Sequence, residues 1–274
     1  MSRRRLVITA DDLGRTEADT DVVLGLFADG AVSAVTLMPV GPAAERAAAA
    51  VRGRPGVRLH ATLVSDADVP PWCPVADVPS LVDAGGHFHT DPRAILRAGS
   101  ADVSAELRAQ LGWLRERVGQ AAGMDAHTAL LYGVHGGGWL MEALRLCAEE
   151  RLGFRLPRDP STYLQAAEVR ALAQSHARAV TAADALGVPI PAAMLTNRRS
   201  AAEHGGYDAL LASYLRGLAG LPAEGTSELF CHPGSAGQDD AATLRGWEAR
   251  MLRDPRFTDH LAEEGFEVVP AWGP

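Results

Sequence analysis

Lysine is absent from this chain of 274 residues, and every basic residue other than histidine is arginine. The sequence therefore excludes a lysine Schiff base and the lysine-containing phosphate loop of many nucleotide-binding enzymes. Acidic residues outnumber basic ones by 34 to 26, so that the formal net charge is −8 and the sequence pI is about 5.6. This balance argues against nucleic acids and anionic membrane surfaces as partners, since both attract basic surfaces.

Cysteine is rare and scattered, because Cys73, Cys147 and Cys231 lie far apart and no CxxC pair occurs. Neither a disulfide framework nor a thiolate zinc site is expected, and free thiols in a reducing cytoplasm are the favoured interpretation. Long apolar runs are missing as well. Residues 6–10 follow a basic N-terminus but are too few for an export signal, and no later run is long enough to span a membrane. We therefore expect a cytoplasmic protein.

Short apolar segments alternate with longer amphipathic ones along the chain. The pattern predicts eight strands, near residues 6–10, 31–40, 57–63, 124–131, 154–157, 190–196, 227–231 and 266–270. It predicts seven helices, at residues 16–28, 43–52, 104–118, 139–151, 164–186, 207–218 and 243–252. Such alternation predicts parallel strands joined by right-handed crossovers. With about seven to eight strands and no GxGxxG after the first, we expect one α/β domain over residues 1–274, a closed or slightly irregular (β/α) barrel.

A long irregular loop at about residues 64–100 interrupts the alternation, as does a shorter one at 197–206.

Polar side chains cluster at the predicted ends of these strands, where parallel α/β folds collect their functional groups. They are Asp11, Asp12, His60, Asp125, His127, Arg155, Arg158 and His232. Carboxylates and imidazoles on one rim suit a divalent cation, and three protein ligands leave positions open for water and substrate. The sequence therefore predicts a metal-dependent hydrolase.

Each of these motifs also has an ordinary structural interpretation. Adjacent aspartates after a strand often form a turn with a helix cap, and His60 in an apolar segment resembles a hydrogen-bonded core histidine. Asp125 and His127 could form an internal pair, and the Pro-Gly after His232 could mark a plain turn. The catalytic interpretation gains weight because the fold hypothesis brings all of these residues to one mouth.

Segments along nearly the whole chain, from residue 5 to about 270, resemble in order the motifs of the YdjC family of carbohydrate deacetylases. That family includes the chitooligosaccharide and the hopanoid-associated deacetylases. The segments are TADDLG (9–14), AVSAVTLMP (31–39), VRLHATL (57–63), DAH (125–127), FRLPR (154–158), ELFCHPG (228–234) and the R-x-x-E-x-x-x-L pattern at 245–252. ELFCHPG is the most specific single match.

The resemblance implies a barrel-like fold related to the polysaccharide deacetylases and one divalent metal ion. Carried onto this sequence, the metal ligands are Asp12, His60 and His127, and Mg or Zn is expected ahead of Mn, Ni or Co. The implied reaction is removal of an N-acetyl group from an amino sugar, an oligosaccharide or a related small molecule. A homodimer is also implied.

The resemblance further implies catalytic roles for Asp11, His232 and Arg158. Asp11 is expected to be the base that activates water, and His232 the acid that protonates the leaving amine or the partner of the oxyanion. Arg158 is expected to orient Asp11 or to hold the substrate, and Asp125 to steady His127. Three aromatic side chains could stack on a sugar, with ordinary packing as the alternative for each: Trp72, Phe88 and Trp139.

The sequence departs from the family pattern after the DAH segment. Ala129 and Leu131 stand where the family has further histidines, and His135 has the wrong spacing to replace them. Together with the glycines at 136–138, this change predicts an altered pocket. Two alternatives therefore stay open: a different metal-dependent barrel hydrolase, acting on a phosphoester or a cyclic amide, and a catalytically inactive sugar-binding relative.

Overall fold

A computed structural model describes residues 4–132 and 138–273. Its strands are β1 (Arg4–Leu13), β2 (Ala34–Leu37), β3 (Val57–Ala61), β4 (Gly123–Ala126), β5 (Gly153–Phe154), β6 (Met194–Leu195), β7 (Thr226–Cys231) and β8 (Phe266–Val268). Its α-helices are α1 (Glu17–Ala28), α2 (Ala44–Val51), α3 (Ser100–Val118), α4 (Leu140–Glu150), α5 (Ala166–Leu186), α6 (Ala201–His204), α7 (Tyr207–Ala219), α8 (Asp240–Met251) and α9 (Pro255–Glu263). Short 3-10 helices cover Pro79–Leu81, Ala94–Arg97 and Ala129–Tyr132.

The strands form one curled parallel sheet with β1 at its centre. The order is β5-β4-β3-β2-β1-β7-β6, and β8 pairs with the first residues of β1. Backbone N–H groups of Phe154 and Arg158 donate to the carbonyl oxygens of Pro189 and Pro191, each at 2.9 Å. These bonds join the chain around β5 to the chain before β6, so that the two ends of the sheet meet. The predicted α/β barrel with parallel strands is confirmed.

The helices pack on the outside of the sheet through one apolar face. In α3, for example, Val103, Leu107, Leu111, Leu114 and Val118 recur every three to four residues and are buried. Because all strand pairs are parallel, their carboxyl ends share one rim of the barrel. Among the described residues, no helix combines the length and the apolar character that crossing a membrane requires.

Several elements differ from the sequence prediction. The strand predicted to reach residue 131 ends at Ala126, and a 3-10 turn follows. The predicted irregular loop at 64–100 includes two 3-10 turns and packs Trp72 and Phe88 into the core. Helices α6 and α9 were not predicted, although Asp254 caps α9 and Pro255 occupies its first turn, as both residue types commonly do.

Candidate metal and catalytic site

β1 ends in an irregular turn that brings two adjacent carboxylates into one site. The register between β1 and β2 shifts between Ala10 and Leu13, and Asp12 has a φ of 66°, which non-glycine residues seldom adopt. In a regular strand, neighbouring side chains point to opposite faces, whereas a bulge can redirect one of them. Asp11 and Asp12 are consequently both buried at the same rim.

Asp12, His60 and His127 each bring one ligand atom to a common point. Asp12 Oδ1 lies 3.3 Å from His60 Nε2 and 3.1 Å from His127 Nδ1, and the two imidazole nitrogens are 3.4 Å apart. Ligand atoms bonded at about 2.1 Å to one cation, at angles of about 90–110°, are separated by about 3.0–3.4 Å. The three residues therefore fit a divalent cation. They are the three predicted from the sequence, and their role as ligands stays a prediction.

Both imidazoles are oriented by a carboxylate on the side away from this point. Asp125 Oδ1 lies 2.9 Å from His60 Nδ1, and Asp66 Oδ1 lies 2.8 Å from His127 Nε2. Such contacts fix the tautomer and the ring orientation of a metal-binding histidine. The expectation that Asp125 steadies His127 is therefore wrong, because Asp125 contacts His60 and the loop residue Asp66 contacts His127.

The second oxygen of Asp12 is occupied by an arginine, because Arg245 Nη2 donates to Asp12 Oδ2 at 2.7 Å. Burial alone would raise the pKa of Asp12, but Arg245 and the two histidines hold it well below its usual value. Burial alone would lower the pKa of His60, but the carboxylates of Asp125 and Asp12 raise it to about 10. The charged groups around the three ligand atoms therefore each have a partner of opposite charge.

Asp11 forms a two-pronged ion pair with Arg155. Arg155 Nη1 donates to Asp11 Oδ2 at 2.6 Å and Nη2 donates to Asp11 Oδ1 at 2.8 Å, while the Thr36 hydroxyl also donates to Oδ1 at 2.9 Å. Burial alone would raise the pKa of Asp11, but the Arg155 guanidinium together with His60 and His232 lowers it overall. His232 Nε2 lies 3.9 Å from Asp11 Oδ2. An ionised carboxylate and an imidazole therefore face each other at the rim.

The structure does not bring Arg158 to Asp11. The Arg158 guanidinium donates to both carboxylate oxygens of Asp184, at 3.1 and 2.6 Å, on an exposed part of the surface. Arg155, three residues earlier, makes the contact with Asp11 that was expected of Arg158. A role for Arg158 in holding the substrate stays a prediction.

Arg155 belongs to a buried network of charges beneath the rim. It donates to both carboxylate oxygens of Glu228, at 3.1 and 3.0 Å, and contacts Asp125. Arg58, also fully buried, donates to Glu228 Oε1 at 2.8 Å. Since unpaired buried charges are costly, these partners hold one another in fixed positions.

The turn after β7 places His232 at the rim. Its backbone N–H donates to Glu248 Oε2 on α8 at 2.8 Å. At Gly234, two residues later, a Cβ atom would lie 2.3 Å from Asp19 Oδ1, which accepts the N–H of Ser235, so that a larger residue would have to displace the Asp19 side chain. Gly234 therefore lies close against the Asp19 side chain, while the His232 side chain stays about 39% exposed.

A cavity of about 370 Å³ opens beside these groups, which is a usual size for a ligand site. The residues that line it include Asp11, His60, His127, Arg155 and His232. Ala129, which stands in place of a family histidine, also lines the cavity, whereas Leu131 is buried in the core. Trp72 and Phe88 are core residues, and these two and Trp139 are not among the described residues that line the cavity. His135 and the glycines 136 and 137 lie outside the described residues.

Arg155 was expected at the rim but was given no specific role, and three further site residues were not predicted at all: Asp66, Glu228 and Arg245. A signal existed for three of these four, since Arg155, Glu228 and Arg245 belong to segments that resemble family motifs. Asp66 had a weaker signal, its place just after the third strand at the start of the long loop. Their partners lie far away in sequence, so that spacing alone could not pair them.

Comparison with known proteins agrees with this description. A family model described as YdjC-like protein matches residues 5–263. A carbohydrate deacetylase of Geobacillus stearothermophilus is 37% identical over 39% of this chain and 42% of its own length, and one of Brevibacillus brevis is 28% identical over 56% and 59%. The chain thus spans about half the length of these curated relatives.

A solved structure supports the fold over the full length. A protein of Enterococcus faecalis V583, described as a candidate cellobiose-phosphate cleavage protein, has a TM-score of 0.73 and 22% identity, and the match covers 98% of this chain and 97% of that one. At this level of identity the likeness concerns the fold alone. Because the family model matches most of the chain, this protein belongs to the family of YdjC-like proteins.

Proposed function

We propose that this protein hydrolyses the N-acetyl group of an amino sugar with the help of one divalent cation. The observation that carries the proposal is the meeting of three ligand atoms, from Asp12, His60 and His127, beside the pair formed by Asp11 and His232. The relatives described as carbohydrate deacetylases support the substrate class. The matches cover about half the length of these relatives.

Asp12, His60 and His127 would hold the cation. Two imidazole nitrogens and one carboxylate oxygen favour a borderline cation such as Zn²⁺ over Mg²⁺, which prefers oxygen ligands. When bound, the cation would polarise the amide carbonyl group and make a water molecule more acidic. Arg245 keeps Asp12 Oδ2 engaged, so that Oδ1 is the oxygen left for this role.

Asp11 and His232 would move the protons. Asp11 is ionised because Arg155 lowers its pKa, and it would accept a proton from water at Oδ2, the oxygen nearest to His232. His232 would donate a proton at Nε2 to the amide nitrogen as the carbon–nitrogen bond breaks. Water and the amide are thereby converted into acetate and the free amino sugar.

The decisive experiment measures acetate release from N-acetylglucosamine and its short oligomers, together with the metal content of the protein. We expect turnover that a chelator abolishes and that added Zn²⁺ or Mg²⁺ restores. Asp12→Ala and His60→Ala should lose both bound metal and activity. His87→Ala changes a half-buried histidine of the long loop that does not line the cavity, so it serves as a matched control and should keep both.

Each alternative predicts a different outcome, and assays with other substrates and of sugar binding complete the comparison. Full retention of metal and activity in Asp12→Ala and His60→Ala would overturn the ligand assignment. Chelator-sensitive hydrolysis of a phosphoester or a cyclic amide, without acetate release, would favour a different metal-dependent hydrolase. Sugar binding without any turnover would favour an inactive binding protein.

A further inference from the structure

The cavity beside the charged rim has a second, contrasting side. We define the apolar wall as the set Leu140, Leu156, Pro160, Leu164, Leu172 and Ala179. Polar residues that line the cavity beside this set include Ser175, His176, Thr196, Asn197 and Arg198. The wall residues come from the start of α4, the chain after β5, and α5. Neither the proposed ligands nor the proposed proton-transfer residues belong to this wall, and the proposed hydrolysis of an acetyl group does not require it.

Helix α5 turns one face toward this cavity. Leu172, Ser175, His176 and Ala179 all line it, and their spacing of three to four residues places them on one side of the helix. Only Ala179 and Ala183 of this helix of 21 residues are buried. Leu172 is therefore an apolar side chain that the helix presents to the cavity and not to the core.

Two aromatic rings connect the apolar wall with the charged rim. Phe230 packs against His232, with ring centroids 6.0 Å apart, and the Arg155 guanidinium lies 4.5 Å from the centre of its ring. Phe230 also packs against Tyr163, with ring centroids 6.2 Å apart. Since Tyr163 directly precedes Leu164, the apolar surface is continuous from the proposed acid to the wall.

The chemistry of this surface limits what can occupy it. Sugar hydroxyl groups placed directly against the leucine and proline side chains of the wall would lose hydrogen bonds to water that those side chains cannot replace, at a substantial free-energy cost. An apolar group gains free energy there because both surfaces leave water. An acetyl group offers only one methyl group and would cover little of such a wall.

We propose that the substrate carries an apolar group of several carbon atoms next to its amide, and that this group binds against the apolar wall. The inference rests on the proposed amide hydrolysis for the placement of the amide at the charged rim. The apolar group can be an acyl chain longer than acetyl or an apolar aglycone of the amino sugar. Both sources share the same binding chemistry, and the experiment separates them.

The test compares three probes by calorimetric titration below their micelle-forming concentrations. N-acetylglucosamine has no apolar extension, N-octanoylglucosamine carries the apolar group on the acyl side, and octyl N-acetylglucosaminide carries it on the aglycone side. We expect one of the two octyl-containing probes to bind at least about tenfold more tightly than N-acetylglucosamine, because several methylene groups leave water. The tighter of the two identifies the source.

Variants of α5 locate the binding surface. Leu172→Glu places a charge on the apolar wall and should reduce the preference for the octyl-containing probe to less than about threefold. Ala173→Glu adds the same charge to the neighbouring exposed position, which does not line the cavity, and should keep the preference. Leu164→Gln offers a second wall variant in case Leu172→Glu fails to fold.

The outcomes separate this inference from the proposed function. Equal affinity for all three probes, or an unchanged preference in both wall variants, overturns the inference even if acetate is released from N-acetylglucosamine. Tight, wall-dependent binding of an octyl-containing probe that is never hydrolysed supports the wall and overturns the proposed reaction. Tight binding with release of acetate or octanoate supports both.

Discussion

The charged rim of the cavity and its apolar wall are held in place by different interactions. At the rim, Asp11 is paired with Arg155 and Asp12 with Arg245, through directional bonds of 2.6–2.8 Å. These pairs join strand ends to residues more than 100 positions away in sequence. Removal of one partner leaves the other charged, buried and uncompensated, so that the rim tolerates little change.

The apolar wall is instead held in place by van der Waals packing, which unlike a hydrogen bond has no preferred direction. Leu156 and Ala179 are almost fully buried, while Leu164 and Leu172 are partly exposed toward the cavity. Substitution of one apolar side chain by another of similar volume costs little in such surroundings. The comparison suggests that the chemistry of this site is fixed by the rim, whereas the choice of substrate can change through the wall.

The largest effect should follow from loss of the central cation of the rim, in Arg155→Met. Three carboxylates, those of Asp11, Asp125 and Glu228, would then lose a buried partner. We expect the free energy of unfolding to fall by about 3–5 kcal/mol, measured by chemical denaturation. The double variant Arg155→Met/Asp11→Asn should recover part of this loss, because it also removes one of the uncompensated charges.

Arg158→Met is the matched control for Arg155→Met, because it removes the same side chain three residues away. Arg158 pairs with Asp184 on the exposed surface, and such pairs contribute less than about 1 kcal/mol. Equal destabilisation by the two variants would show that the buried network does not hold the rim together.

Sequence reasoning could predict much of the rim because the carboxyl ends of parallel strands meet at one edge. Asp11, His60 and His127 each follow or end a short apolar segment, and one fold hypothesis was enough to bring them together. The same rule explains the confusion of Arg158 with Arg155. Both arginines follow β5, and only the packing of the barrel decides which of them reaches Asp11.

The apolar wall was beyond sequence reasoning for a physical reason. The helical pattern of α5 was recognised, but an apolar residue such as Leu172 looks the same whether it faces a core or a cavity. That choice depends on how α5 sits against the chain after β5, which involves Leu156 and Pro160. Similarly, the contact between Asp66 and His127 depends on how the long loop folds back over the rim.

A smaller effect on the rim should follow from Asp66→Ala. This variant removes the carboxylate that orients His127 but leaves all three proposed ligands in place. Loss of such an outer partner typically weakens metal binding by about 10–100-fold. We expect a weakening in this range for Zn²⁺, measured by competition with a chromophoric chelator.

Asp68→Ala is the control for Asp66→Ala, since both aspartates pair with Arg15 but only Asp66 contacts His127. Unchanged Zn²⁺ affinity in Asp66→Ala, or equal weakening in both variants, would contradict the role assigned to Asp66. In the second case the loop would act on the metal through Arg15 and not through the histidine.

The smallest expected effect is a dependence of metal affinity on pH. Burial disfavours the charged form of His60, but Asp125 and Asp12 favour it more strongly and raise the pKa to about 10 in the metal-free protein. A cation binds only the neutral imidazole, so that binding at pH 7.5 must displace this proton. Metal affinity should therefore increase with pH, by about tenfold per pH unit while His60 is the only group that releases a proton.

Calorimetric titration with Zn²⁺ in two buffers of different ionisation enthalpy measures this proton directly, and we expect release of at least about one proton per ion at pH 7.5. Asp125→Asn should reduce the number released, because the carboxylate that contributes most to the raised pKa of His60 is gone. The same variant leaves the apolar wall untouched, so that the affinity for an octyl-containing probe should not follow the change in metal affinity. A binding heat that is independent of the buffer would mean that the histidines are already neutral, and that the rim is less strongly charged than its ion pairs indicate.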